Sequence, residues 1–206
     1  MLSAEIECPG TSVDATGNDS EKQQANERAV ISGTSAFSKS PSRAAVTDHR
    51  IGKYLTFLLG REEFAIQVLK VREIMGIQDI TAVPQTPAYV KGVINLRGKV
   101  IPVVDLRLKF CLPEIDYTQR TCIIVVQVLA GGVSLHMGII VDEVSEVLNL
   151  ALGDIEDTPD FGNGSGSNTG YLLGMAKVKG KVKILLDIDR VLSGQELHRM
   201  DALVRV

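Results

Sequence analysis

The chain has 206 residues, a net charge of −3, and ordinary shares of hydrophobic (45%) and charged (23%) residues. This is the composition of an average globular protein. The near-neutral balance argues against nucleic acid as a partner, because proteins that bind nucleic acid usually carry a basic face. The apolar runs are only as long as strands and end at charged residues, so we predict no transmembrane segment and no direct insertion into a membrane.

The first fifty residues differ from the rest of the chain. They hold twelve Ser and Thr, a single aromatic residue and no apolar run longer than three residues. Such a segment buries too little apolar surface to offset the entropy lost on ordering. We therefore predict a disordered N-terminal tail over residues 1–50 and a folded body over residues 51–206. The tail also lacks the basic start and apolar core of a signal peptide.

Strand patterns dominate the body. Two apolar segments flank the polar turn at Gly60 and predict a hairpin, and β-branched residues predict further strands at 100–104, 122–128, 133–140 and 184–186. We predict short helices after Asp105 and over residues 187–192, and either a terminal helix or a frayed end in the C-terminal segment 194–206. Asp105 and Asp187 lie where an N-cap carboxylate accepts the first free amides of a helix.

The body contains an internal duplication. Residues 92–105 align without a gap to residues 174–187, and upstream of them residues 64–74 align to 137–147. Identical pairs include Gly92/Gly174, Gly98/Gly180, Lys99/Lys181, Val100/Val182 and Asp105/Asp187. The second copy has ten extra residues in the Gly- and Ser-rich stretch 161–170, which we predict to be a flexible surface loop. Two copies are too few for a solenoid and indicate a pair of similar small β units.

The duplication separates residues that the fold alone explains from residues that it does not. Because Gly98, Val100 and Asp105 recur in the second copy, we assign them to a turn, a core position and a helix cap. Arg97 faces Lys179, which keeps the charge and loses the planar guanidinium. Arg97 is therefore the first position in which to look for function.

Catalytic and metal-binding patterns find little support. The three histidines, His49, His136 and His198, share no spacing, and no nucleophile motif or metal-ligand cluster occurs. Residues 92–100 resemble a phosphate-binding loop, but they lack its hydroxyl residue and lead into a β-branched run. The three scattered cysteines predict buried, reduced thiols. We predict no enzymatic activity, no cofactor and no metal site.

Three segments together resemble the CheW-like domain family. They are Asn-Leu-Arg-Gly with Val-Ile-Pro-Val-Val-Asp-Leu-Arg at 95–107, Val-Leu-Lys-Val-Arg-Glu-Ile at 68–74 and Pro-Ala-Tyr-Val-Lys-Gly-Val at 87–93. The resemblance covers about residues 53–197. It implies a mainly β fold of two similar five-stranded, SH3-like barrels with short helices, packed across a shared apolar seam. It also implies a cytoplasmic, non-catalytic adaptor between the tips of methyl-accepting chemoreceptors and the regulatory domain of the histidine kinase CheA.

Five residues are candidates for partner binding. By position, the resemblance places Val71, Glu73 and Gly92 in segments linked to partners, and Arg97 on a functionally sensitive arginine. Ile74 and Val71 flank Glu73 and provide apolar anchors beside a charge. Arg97 lies beside a turn glycine, where its guanidinium is suited to pair with a partner carboxylate or with Glu73 itself.

Other functions stay open at this stage. The same scaffold is compatible with a chemosensory pathway that controls pili or another process instead of swimming. A small β-barrel that binds nucleic acid would need exposed aromatic residues on a basic face, yet the chain has no Trp. A hydrolase with an unrecognised site would show turnover with purified protein.

Overall fold

The computed structural model describes residues 49–130, 132–158 and 170–204. Apart from residues 49 and 50, the predicted tail lies outside these ranges, and so does nearly all of the predicted loop at 161–170. The described strands are β1 Gly52–Leu59, β2 Glu62–Gln67, β3 Val71–Gly76, β4 Val90–Leu96, β5 Lys99–Asp105, β6 Cys122–Ala130, β7 Val133–Val141, β8 Glu143–Leu150, β9 Ile155–Glu156, β10 Leu172–Val178 and β11 Lys181–Leu186. Two α-helices are described, α1 Leu106–Lys109 and α2 Gly194–Val204. In the described ranges, no helix has the length and apolar character needed to cross a membrane.

The strands form two sheets, and each sheet takes strands from both copies of the repeat. One sheet has the order β3-β6-β7-β5-β4, and the other has the order β8-β1-β2-β11-β10-β9. Strands β1 and β2 of the first copy lie in the sheet with β8–β11 of the second copy. Strands β6 and β7 of the second copy lie in the sheet with β3, β4 and β5 of the first copy. The two halves are interlocked along the chain.

The strand registers show that the two sheets are related by an approximate two-fold repeat. Val104 of β5 pairs in parallel with Ile139 of β7, and the matching residue of the second copy, Leu186 of β11, pairs in parallel with Ile66 of β2. Ile66 and Ile139 are themselves matched by the sequence duplication. The duplication is therefore a duplication of packing as well as of sequence.

Three apolar clusters fill the fold, one inside each curled sheet and one between them. The first barrel, built on β3–β7, encloses Ile94, Ile101, Val103, Ile123, Val125 and Ile140. The second barrel encloses Tyr54, Ala65, Leu150, Ile155, Ala176 and Leu185. The largest cluster joins the facing sides of both sheets and includes Phe57, Ile66, Ile124, Ile139 and Leu186. Helix α2 adds Leu197 and Met200 to this seam.

Most sequence predictions for the fold are confirmed. The chain is mainly β with few helices, and its two small barrels pack across an apolar seam. The second sheet has six strands instead of five because the short β9 adds to β10, whereas the first sheet has only an isolated bridge between Thr81 and Val93 at the matching place. The carboxylate of Asp105 caps α1 by accepting from the amide of Arg107 at 2.8 Å.

Three predictions are wrong. Val100 is not a core residue, because it is 46% exposed and its match Val182 is 49% exposed; both follow a hairpin turn, before their strands enter the barrel. Residues 187–192 form turns and bends instead of a helix, and the carboxylate of Asp187 accepts from the amide of Asp189 and pairs with Arg190 Nε at 3.2 Å. Of the two described cysteines, Cys122 is a partly buried free thiol, but Cys111 is exposed and not buried as predicted.

Candidate functional site

The hairpin between β4 and β5 presents Arg97 at the end of the first barrel. Arg97 and Gly98 have φ angles of 53° and 82°, so both central residues of this turn are left-handed, as a type I′ turn requires. The side-chain oxygen of Asn95 accepts from the amide of Gly98 at 2.9 Å and fixes the turn. The sequence thus builds a rigid hairpin tip that carries a guanidinium into solvent.

Arg97 pairs with Glu73 across the mouth of the barrel. Its Nη2 donates to Glu73 Oε1 at 2.9 Å, and the two side chains are 79% and 30% exposed. Glu73 lies on β3, an edge strand of its sheet, so the contact joins that edge to the β4–β5 turn. The sequence left two alternatives for Arg97, a partner carboxylate or Glu73, and in the structure Arg97 contacts Glu73. An exposed pair of this kind contributes little to stability and can exchange partners at small cost.

The two apolar candidates beside Glu73 differ in burial. Side chains alternate along a strand, and Ile74 lies half exposed on the outer side of β3. Val71 is partly buried and packs against the seam between the barrels. Val100, at the start of β5, adds a second half-exposed apolar residue at this end. We call Glu73, Ile74, Arg97 and Val100 the first end surface.

Gly92 has a structural reason to be glycine. Its φ of 140° is unfavourable for any side chain, and a Cβ there would lie 2.1 Å from the carbonyl oxygen of Thr81. The matching Gly174 has a φ of 154° and would place a Cβ 2.7 Å from the carbonyl oxygen of Glu156. Both glycines lie at a register shift of their strand, next to a neighbouring backbone segment that pairs with that strand. The backbone alone accounts for this residue.

The second barrel carries a matching arrangement that the sequence reasoning missed. Lys179 Nζ lies 3.4 Å from Glu146 Oε2, and these residues match Arg97 and Glu73 in the duplication. Val147 and Val182, the matches of Ile74 and Val100, are also half exposed. We call Glu146, Val147, Lys179 and Val182 the second end surface. Both aligned segments contain these pairs, so extending the comparison from the hairpin to its acidic partner would have predicted the second ion pair.

Helix α2 is fastened to the first barrel by a polar cluster. Glu196 accepts hydrogen bonds from the hydroxyl of Tyr89 and from Lys109 Nζ, the latter at 2.7 Å. Burial alone would raise the pKa of Glu196, but the hydrogen bonds from Lys109 and Tyr89 outweigh burial and lower this pKa to about 2. Burial and the bond to Glu196 raise the pKa of Tyr89. The contact ties the end of the second copy to the first barrel.

The described residues bring together no group of three or more His, Cys, Asp or Glu side chains able to hold a metal ion. At each barrel end the structure combines an ion pair with half-exposed apolar side chains at neighbouring positions of the same strands. Interfaces of moderate size combine such apolar anchors with charges at their rim. The arrangement is thus suited to protein recognition.

Comparison with known proteins places this fold in a family. Residues 53–196 match the CheW-like domain. Chemotaxis protein CheW of Klebsiella aerogenes is 40% identical over 149 residues, which cover 72% of this chain and 86% of the relative. Chemotaxis protein CheW of Rhizobium meliloti is 37% identical over 142 residues, covering 69% and 88%. In both relatives, most of the length aligns with the folded body.

A solved structure agrees with these sequence relatives. The crystal structure of the scaffolding protein TtCheW from Thermoanaerobacter tengcongensis superposes with a TM-score of 0.62 at 32% sequence identity and covers 71% of this chain and 97% of that one. The family match spans more than half of the chain, and the relatives exceed 30% identity over most of their own length. The chain belongs to the CheW-like domain family.

Proposed function

We propose that this chain is a non-catalytic adaptor that couples methyl-accepting chemoreceptors to the histidine kinase CheA in the cytoplasm. The observation that carries the proposal is the first end surface in a chain of this family: an exchangeable ion pair between Glu73 and Arg97, flanked by exposed apolar residues. Two relatives that align over 86% and 88% of their own length are named chemotaxis proteins, and the structural neighbour is named a scaffolding protein. A scaffold needs surfaces and no reacting groups.

The proposal assigns a role to each candidate residue. Arg97 releases Glu73 and pairs with a carboxylate of a partner, while Ile74 supplies apolar area next to it. Val71 packs in the seam and holds the same strand in place. Gly92 permits the close approach of the Thr81 backbone, which positions the hairpin. Because the Glu73–Arg97 pair is exposed, opening it costs little and the new partner pair replaces it.

Titration calorimetry with purified fragments tests the proposal. The full chain is titrated with the regulatory domain of CheA and, separately, with a receptor fragment that contains the cytoplasmic tip. We expect saturable binding to both and weaker binding by Arg97→Ala, with an unchanged circular dichroism spectrum. Absence of binding to either fragment by the folded wild-type chain would overturn the proposal. An unfolded Arg97→Ala protein would assign Arg97 a structural role.

A further inference from the structure

The two barrels differ at one interior position next to their end surfaces. Ile101 lies inside the first barrel and is 3% exposed. Its match in the second barrel is Lys183, whose side chain is only 5% exposed. Lysine is seldom buried to this degree without a paired charge, because removing an ammonium group from water is costly. The second barrel therefore contains a charge where the first has a hydrocarbon.

Lys183 is held by carboxylates on both sides. Alternation along β11 places it on the same face as Leu185, at one end of the second barrel's interior. Its ammonium group donates to Glu63 on the neighbouring strand β2, and its Nζ lies 3.9 Å from Glu146 Oε1. The hydrogen bond from Lys183 is the main reason that the pKa of Glu63 is lowered. The position matching Glu63 is His136, so both members of this pair belong to the second barrel alone.

Each carboxylate also faces a second, surface lysine. Glu63 Oε1 lies 3.5 Å from Lys181 Nζ, and Glu146 Oε2 lies 3.4 Å from Lys179 Nζ. Lys179 and Lys181 are mostly exposed. Three lysines thus face two glutamates, so the cluster has a charge of +1. The buried Lys183 supplies each carboxylate with a partner from inside the barrel.

Stability alone does not explain a buried lysine at this position. Replacing a buried ion pair with apolar side chains of similar volume is often neutral or stabilising, and the first barrel already shows that isoleucine fits the matching place. The backbone of Glu146 is independently fixed, because the buried hydroxyl of Thr56 bonds to both its amide and its carbonyl. The charge of Lys183 therefore acts on the carboxylates and, through them, on the surface.

We propose that Lys183 is a positioning residue of the second end surface and makes that surface specific for an acidic segment of a partner protein. Lys183 balances one of the two carboxylate charges of Glu63 and Glu146 from inside the barrel. The two surface ammonium groups of Lys179 and Lys181 then face only one remaining negative charge, and their excess positive charge is available to a partner carboxylate. The half-exposed Val147 and Val182 on the outer side take an apolar residue next to it. The complementarity is between a surface cluster of +1 and an acidic partner. This inference rests on the proposed adaptor function.

The test measures binding of Lys183→Ile to the CheA regulatory domain and to the receptor fragment at several salt concentrations. Isoleucine is the residue of the matching site, so the fold should hold. We expect affinity for one fragment to fall about five- to tenfold and its salt dependence to weaken, while Lys183→Arg restores most of the affinity. Lys53→Ile removes the same charge from an exposed position of the same sheet and should leave binding nearly unchanged.

Two further measurements keep the inference falsifiable. Nuclear magnetic resonance titration should show the pKa of Glu63 rising in Lys183→Ile, which loss of packing alone would not produce. If Lys183→Ile does not fold, Lys179→Gln combined with Lys181→Gln tests the same surface without touching the interior. Binding equal to wild type, with the same salt dependence, would overturn the inference. Failure of the wild-type chain to bind either fragment would instead overturn the proposed function.

Discussion

The two barrels share a backbone but not a chemistry. Matched residues do the same structural work: the amides of Asp105 and Asp187 each donate at 2.8 Å to the carbonyls of Tyr89 and Tyr171, and Arg97 and Lys179 share φ angles of 53° and 52°. At the barrel ends the copies separate. The first end has one exchangeable ion pair above an apolar interior, and the second has a charged cluster anchored on a buried lysine. The two copies therefore keep one scaffold and differ in the charge of their end surfaces.

The largest expected effect concerns the matched glycines. Gly92→Ala forces a Cβ to within 2.1 Å of the Thr81 carbonyl at a φ of 140°, so the bridge to Thr81 must break; we expect a loss of about 4 kcal/mol in the free energy of unfolding. Gly174→Ala, with its wider gap of 2.7 Å, should lose less. Gly98→Ala has a φ of 82° and meets no atom within 4 Å, so strain alone should lower its stability by about 1 kcal/mol. Urea unfolding of the three variants measures these differences, and equal losses would contradict the assignment of Gly92 to a close approach.

The next effect separates the two members of the buried pair. Glu63→Ala leaves the ammonium group of Lys183 inside the barrel with only the more distant Glu146, and should lower the free energy of unfolding by about 3 kcal/mol. Lys183→Ile removes the buried charge, and Glu63 keeps Lys181 Nζ at 3.5 Å as a surface partner, so this variant should lose less, about 1 kcal/mol. Chemical denaturation at pH 7 provides both values. A Lys183→Ile variant as unstable as Glu63→Ala would show that the lysine is needed for the fold and not only for the surface.

A third prediction concerns the contact that fastens helix α2 to the first barrel. Because hydrogen bonds hold the pKa of Glu196 at about 2 in the folded state, below its ordinary value of 4.5, the contact stabilises the fold above about pH 4.5 and is lost as the pH falls toward 2. Glu196→Gln should lower the free energy of unfolding by about 2 kcal/mol at pH 7. It should also flatten the acid limb of the stability profile. Glu156→Gln, which removes an exposed carboxylate paired with Lys177, serves as the control, and parallel profiles for Glu196→Gln and wild type would refute the assignment.

The smallest effect on stability is expected at the hairpin tips. Arg97→Lys makes the first end resemble the second and Lys179→Arg does the reverse; since both side chains are mostly exposed, each exchange should change the free energy of unfolding by less than about 0.5 kcal/mol. Arg97→Lys should nevertheless weaken partner binding about threefold, because the planar fork of the guanidinium is lost. Calorimetric titration of the pair of variants compares the two ends. An unchanged affinity would mean that only the charge of Arg97 matters.

The sequence predicted the parts of the fold that repeat. The gap-free match of residues 92–105 with 174–187 predicted the hairpin turns, the helix cap at Asp105 and a pair of similar β units. It did not predict that β1 and β2 join the second copy's sheet, since strand exchange depends on contacts far apart in the chain. In the Lys-Val-Lys run at 181–183, alternation of polar and apolar residues predicts exposed lysines and a buried Val182. The structure has Lys183 buried and Val182 exposed. This outcome could not be predicted from the run alone, because the carboxylate that pairs with Lys183 belongs to Glu63 on a neighbouring strand.

The candidate site was predicted in outline. The sequence pointed to Arg97 and Glu73 and gave their contact as one of two alternatives. It could not predict that β3 lies next to the β4–β5 turn, because this contact depends on how the sheet closes. The resemblance placed Gly92 in a segment linked to partners, and the close approach of Thr81 gives it a backbone role as well. The partner roles of Val71, Glu73, Ile74, Gly92 and Arg97 remain predictions for binding experiments.

Reconstitution of kinase activation tests the adaptor function most directly. Autophosphorylation of CheA is measured with receptor fragments assembled on vesicles, with and without this chain. We expect the rate to rise well above that of CheA alone only when receptor, kinase and chain are all present, and Arg97→Ala to reduce the rise. A rate that is the same with and without the folded wild-type chain would rule out the adaptor function.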